Sequence, residues 1–219
     1  MGRLFRVERN LSILIWIGNA VCGSSAIAGA SKVINAKKED IGISIGVINF
    51  LGAMSIPLIP ILLLNIFPYF SDEQNSFVIG STVQALGQVV ATGNVISNSV
   101  GEHATIIKMI RISMLGPLII VLNLIVANKT KAKSPIILPK FIIGFILVAL
   151  LTHFSLIPHS LVEIFQKISK ILLIIAMAGV GLKISLNDIV KFGKKSFFVG
   201  TLGFIIQLLV VCALAFLYF

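Results

Sequence analysis

Acidic residues are scarce in this 219-residue chain: eight Asp and Glu stand against eighteen Lys and Arg, and charged residues make up only 12% of the whole. A water-soluble domain carries roughly twice that charge, so the composition excludes an ordinary soluble globule. Cysteine is limited to Cys22 and Cys212, far apart and each in an apolar run. That excludes a disulfide framework and a thiolate metal site, and both read as small hydrophobes. His103, His153 and His159 show no metal-ligand spacing, and His153 near Ser155 has no acid to orient it. No glycine-rich nucleotide loop is present, so neither a nucleotide nor any other cofactor is expected, and the chain does not read as an enzyme.

What fills the chain instead is Leu, Ile, Val, Phe and Ala: hydrophobic residues reach 57% and the mean hydropathy is +1.06. Crossing the hydrocarbon takes about 20 apolar residues per helix. Seven segments qualify or nearly so: Leu11–Ala30, Ile41–Phe67, Phe77–Ile96, Ala104–Ala127, Ile136–Ile157, Leu161–Leu182 and Phe197–Phe219. The alternation of a membrane β-barrel is absent, so the expected class is all-α: a polytopic helical membrane protein forming one membrane domain over 1–219, with the lipid bilayer as its surroundings. Pro57 and Pro60 predict a kink in the second segment.

The net charge of +10 would suggest nucleic acid for a soluble protein, but here the basic residues fall in the connections. Arg3, Arg6, Arg9, Lys32, Lys37 and Lys38 flank the first segment, and Lys129, Lys131, Lys133 and Lys140 separate the fourth and fifth. Lys183, Lys191, Lys194 and Lys195 precede the last. Orientation accounts for the excess, and no nucleic-acid partner is expected. With the basic connections in the cytoplasm, Ile41–Phe67 runs outward and Phe219 ends outside. Both ends of the first segment then lie inside and both ends of the third outside. These two segments are also the ones crowded with small and polar residues, "IGNAVCGSSAIAGAS" and "FVIGSTVQALGQVVATG", the latter interrupted by Gly80, Gly87 and Gly93. The expectation is a pair of Gly-broken segments, discontinuous or re-entrant, entering from opposite faces in an inverted-repeat, transporter-like arrangement. Broken helices at membrane depth offer free backbone groups to a ligand, whereas tight packing through small residues is the alternative use of the same composition.

Asn19, Cys22, Gly23, Ser24 and Ser25 in the first segment, and Ser81, Thr82, Gln84 and Gln88 in the third, are therefore candidate substrate-binding residues. Gln84 and Gln88, four apart, are expected on one helix face with Ser81 and Thr82 a turn earlier; amides and hydroxyls suit a desolvated oxyanion and helix–helix hydrogen bonds equally well. Lys108 and Arg111, three apart, share a face and either attract an anion or snorkel to the headgroups. Glu163, Lys167 and Lys170 form a stripe that reads as a solvated face, and Asn49, Asn123 and Gln207, each alone in an apolar run, read as links between helices.

The stretches "GRLFRVERNLSILIWIGNAVCGSSAIAGASKVINAKKED", "FVIGSTVQALGQVVATG", "ATIIKMIRISMLGPLIIVL" and "AMAGVGLKISLNDIVKFGKKSF" resemble the YeiH-type sulfate exporter family of bacterial inner-membrane proteins, in the family's order and over nearly the whole chain. The Cys22–Ala28 core is the most specific part, and the K-x-x-R spacing at Lys108 and Arg111 belongs to the resemblance. It implies a multi-pass inner-membrane secondary transporter, or its C-terminal two-thirds, moving a small anion such as sulfate, sulfite or a sulfonate. Two departures stand out. Met1–Phe5 resembles an interior loop of the family, so the family's N-terminal helices are expected to be missing; a second chain supplying them, or a homodimer, is the expected partner if the chain is a split subunit without transport of its own. Where the family has His followed by an acid, this chain has Gln84 and Ala85, so the resemblance does not carry proton coupling to that position. A passive anion channel is the third reading.

Overall fold

A computed structural model describes residues 7–130, scattered positions within 144–175, and residues 194–219. Eight helices are defined among them: α1 (Arg9–Ala20), α2 (Ser24–Val33), α3 (Lys38–Ile66), α4 (Asp72–Thr82), α5 (Leu86–Ile96), α6 (Asn98–Ser113), α7 (Leu115–Thr130) and α8 (Lys194–Tyr218). No strand occurs among the described residues. The segments expected at 136–157 and 161–182, with His153, His159, Glu163 and Lys170, lie largely or wholly outside the described residues.

Among the described residues, three helical stretches are long and apolar enough to cross a membrane: α3, the run Asn98–Val126 across α6 and α7, and α8. Only Met114 separates α6 from α7, and its backbone stays in the right-handed helical region. Helix α3 passes through Pro57 and Pro60 unbroken. These helices turn Leu58, Ile61, Leu64, Val121, Leu124, Ile125, Leu209 and Val210 outward. For a chain surrounded by lipid this is the expected apolar exterior.

The two Gly-rich segments are helical hairpins. Helices α1 and α2 have 12 and 10 residues, roughly 18 and 15 Å, about half of a hydrocarbon thickness of about 30 Å. Laid end to end they would carry Glu8 and Lys37 to opposite faces; instead Lys37 Nζ lies 2.9 Å from Glu8 Oε1. An exposed ion pair contributes little stability. As a positional marker it is decisive: the first hairpin begins and ends on one face. Helices α4 and α5, 11 residues each, do the same on the other face, where Ser97 Oγ donates to Asp72 Oδ2 at 3.1 Å.

The turns of the two hairpins differ. The first breaks at Val21–Gly23, where Gly23 adopts φ 72° and ψ −124°, a conformation that residues with a Cβ avoid. The second breaks at Val83–Ala85, with Val83 and Ala85 in ordinary extended backbone. This corrects the sequence reading twice. None of Gly80, Gly87 or Gly93 forms the break, and Gln84 and Gln88 do not share a helix face, because Gln84 sits in the break and Gln88 in the first turn of α5. The glycines serve packing instead: a Cβ on Gly80 would lie 2.6 Å from the Ala104 carbonyl oxygen, and one on Gly93 2.5 Å from Gly101 Cα.

Local signals explain starts that hydropathy misses. Helix α4 begins five residues before Phe77 because Ser71 and Gln74 form a capping box, with Asp72 and Glu73 at the positive end of the helix dipole. Helix α6 begins at Asn98 because the Ser97 hydroxyl accepts from the Val100 N–H at 3.1 Å.

Each hairpin is followed by a long helix, and the two units run in opposite senses. Leu14, Ile15, Ile27, Ile48, Leu115, Ile119 and Val199 form a core around the first hairpin. Ile59, Leu63, Val78, Ile79, Val89, Ala104 and Val211 form a second core around the other. The hairpin tips meet between the two cores.

Candidate functional site

The chemistry gathers where the tips touch. A helix that ends at depth leaves carbonyl oxygens without intrahelical partners. Helices α1 and α4 both end there, and α6 supplies the donors. Lys108 Nζ donates to the carbonyls of Val21 at 2.6 Å and Val83 at 2.7 Å, one on each tip. Arg111 Nε donates to the Ala20 carbonyl at 2.9 Å, Nη1 to that of Val83 at 3.3 Å, and Nη2 to that of Asn19. The i, i+3 spacing read from the sequence thus aims both cations at the same place. Snorkelling is overturned for Lys108: its side chain is 0% exposed and spends its donors on tip carbonyls rather than headgroups.

Amides tie the tips laterally. Gln84 Nε2 donates to Asn19 Oδ1 at 3.1 Å, and Asn19 Nδ2 donates to the Gly200 carbonyl on α8 at 3.1 Å. Gln84 Oε1 is buried and has no donor among the described residues, so one acceptor stays open at the contact. Gln207 Nε2 on α8 donates to the Ser81 carbonyl at 2.7 Å. Gln207 does join helices, as its isolation in an apolar run suggests, but that pattern gives no hint that it grips a hairpin beside the tips.

The other candidates are placed less centrally. Cys22 is buried in the first tip, its Sγ 2.9 Å from Ser25 Oγ. Ser24 and Ser25 are exposed in the first turn of α2, which no side chain caps. Thr82 is buried with its hydroxyl spent on the Val78 carbonyl at 2.6 Å, so it offers no donor to a ligand. Gln88 Oε1 accepts from the Ala85 N–H at 3.1 Å, which closes the turn into α5. Ser81 takes part through its carbonyl. Asn19, Gly23, Gln84, Lys108 and Arg111 are therefore the candidates that the fold brings together.

The electrostatic balance is one-sided. Among the described residues every acid lies near a helix start: Glu8, Glu39, Asp40, Asp72, Glu73 and Glu102. None reaches Lys108 or Arg111. The first turns of α2 and α5 add the positive ends of two more helix dipoles, and the carbonyls already described, the partly negative ends of α1 and α4, are the counter-charge among the described residues. No group of three or more His, Cys, Asp or Glu able to hold a metal occurs among the described residues.

The fold and this site define an all-α membrane protein built around two opposed helical hairpins with a buried cationic centre. By sequence, the chain belongs to the family described as conserved hypothetical protein 698, which matches residues 1–200. Its relatives include a UPF0324 membrane protein of Clostridium perfringens, 35% identical over 98% of this chain and 66% of the relative. A UPF0324 membrane protein of Brucella suis is 34% identical over 98% of this chain and 63% of its own length. The UPF0324 inner membrane protein YeiH of Salmonella typhi is 32% identical over 88% and 56%, respectively. The chain thus spans between about half and two-thirds of the curated relatives it matches. No solved structure matches it.

Proposed function

We propose that this chain is the hairpin core of a multi-pass inner-membrane secondary transporter for small anions, neither an enzyme nor a nucleotide-driven pump. One observation carries the reading: Lys108 and Arg111 meet at the hairpin tips with only carbonyl oxygens as partners among the described residues. Both bond the Val83 oxygen, so the two charges lie no more than about 6 Å apart. At an effective dielectric constant of about 20, like charges at that distance repel by roughly 3 kcal/mol. A bound anion reverses that sign, and the polar tips give it hydrogen-bond donors with no competing carboxylate among the described residues.

Depth supports transport over static anchoring. Charged groups far inside a membrane protein mark substrate pathways more often than they mark structure. Tips that meet from opposite faces also provide one site that two half-channels could serve in turn. The name YeiH belongs to a relative and carries no substrate with it; sulfate is the first anion to try because the family resemblance points there.

The test is uptake of radiolabelled sulfate into vesicles containing the purified full chain. Saturable uptake, accelerated by unlabelled sulfate preloaded inside and abolished in Arg111→Gln, is the expected result. Linear, non-saturating flux with no acceleration from inside would indicate a passive channel. Flux no faster than that of empty vesicles would overturn the transporter reading of this chain.

A further inference from the structure

A cleft of about 350 Å³ lies between α1 and α8, beside the tips. Trp16, Ala20, Ile206, Val210 and Val211 make its apolar walls, Gly203 adds no side chain, and Asn19 and Gln207 form its polar part. Asn19 and Ala20 are the residues whose carbonyls Arg111 grips. The cleft and the cationic centre therefore share Asn19 and Ala20.

Resting on the anion-transporter reading, we propose that the site prefers an organic anion with an apolar body, an alkyl sulfonate in type, and carries a bare inorganic oxyanion as the poorer substrate. A water molecule takes about 30 Å³ of liquid, so the cleft equals roughly ten waters. A tetrahedral oxyanion hydrogen-bonded at the tips would leave most of it unfilled, and nothing about sulfate calls for tryptophan, isoleucine and valine walls. Organic-ligand sites are of about this size or larger and combine apolar walls with a few fixed polar groups. The sulfonate group meets Arg111 and the tip amides, while the carbon chain lies along Trp16 and α8. A lipid headgroup is the wrong source for the same chemistry. The tip lies at the end of the 12 residues of α1, roughly 18 Å from the face where that helix begins, and headgroups stay at that face.

Trp16 is the sole tryptophan of the chain, so its fluorescence reports the cleft directly. The full chain in zwitterionic-lipid vesicles is titrated with sulfate and with methane-, propane-, butane- and hexanesulfonate. Affinity is expected to rise about fourfold per methylene through the butane compound, with a shift of Trp16 emission. Hexyltrimethylammonium should cause no such shift, and Arg111→Gln should remove the response to all sulfonates. Val210→Phe, at the exposed rim of the cleft, should flatten the dependence on chain length.

Equal affinity for sulfate and all sulfonates, with Trp16 silent, would overturn the organic-anion proposal and leave anion transport standing. If neither uptake nor any anion response is seen, both fail together. A chain-length dependence that persists in Arg111→Gln, or that phosphatidylglycerol in the vesicles abolishes, would assign the cleft to lipid and overturn the proposal as well.

Discussion

Lys108 and Arg111 look alike on paper and differ in what they can do. Lys108 is sealed, and its two short bonds tie one hairpin tip to the other. Arg111 is only partly buried, and it bonds the carbonyls of Asn19 and Ala20, two residues that line the cleft. Lys108→Met would strand the buried Val21 carbonyl, worth about 1–3 kcal/mol when left unpaired, and leave that of Val83 only its longer bond from Arg111. We expect a loss of about 1–3 kcal/mol of stability, seen as a large fall in the thermal unfolding midpoint of the detergent-solubilised protein. Arg111→Gln keeps an amide donor for the nearer carbonyls and should lower that midpoint much less, while removing anion binding. Equal midpoints for the two variants would contradict this division. Gly23 gives a second case at this scale. A Cβ there would have ordinary room, 3.4 Å from Ile48 Cγ2 and 3.6 Å from Gln84 Cβ, so steric crowding is not the issue. The cost is backbone strain, about 1–3 kcal/mol, and Gly23→Ala should lower the midpoint by that route without a change at the cations.

Half-length helices do not stand alone: stretches of 10–12 residues are marginal, and tertiary packing must hold them. In the second hairpin that packing is close approach of α4 and α5 to α6. Gly93→Ala would drive a Cβ into the backbone of Gly101 and should destabilise by about 1–3 kcal/mol. Gly42→Ala on α3, with nothing within 4 Å, is the matched control and should be neutral or slightly stabilising. Thermal midpoints of the two variants, measured side by side, check the contrast. The same glycines show what a sequence reader could see here. Their density in Phe77–Ile96 led correctly to a broken segment, yet for a reason that does not operate there. Val83 and Ala85 make the break in extended backbone that needs no glycine, and Gly80 and Gly93 are small because α6 lies against them. The Lys108–Arg111 spacing was legible, since it depends on helix period alone. Their partners were not, because the acceptors are main-chain carbonyls that any residue could carry. The choice between hairpin and crossing helices likewise needed a contact distant in sequence, Lys37 with Glu8.

At the scale of the whole molecule, charge divides by face. The face where the first hairpin begins and ends carries Arg9, Lys32, Lys37 and Lys38, with Lys194 and Lys195 at the start of α8. The opposite face carries Asp72, Glu73, Glu102 and His103, with no Lys or Arg among the described residues. Lys and Arg are retained on the cytoplasmic side during insertion, whereas acids exert little pull. This asymmetry predicts that the first face is cytoplasmic, with α3 and α8 running outward and the run of α6 and α7 returning. Opposed hairpins make this orientation testable in a way that crossing helices would not. Asn35 follows α2 and Asn98 opens α6, and both are exposed. In a background with Cys22→Ala and Cys212→Ala, Asn35→Cys should react with a membrane-impermeant maleimide only in inside-out vesicles. Asn98→Cys should react only in right-side-out ones. Arg9→Cys, at the other end of the first hairpin, separates the topologies: a re-entrant hairpin labels it from the same side as Asn35→Cys, and a segment crossing the membrane labels it from the opposite side. Labelling of Arg9→Cys and Asn35→Cys from different faces would dismantle the meeting of tips on which the cationic centre depends.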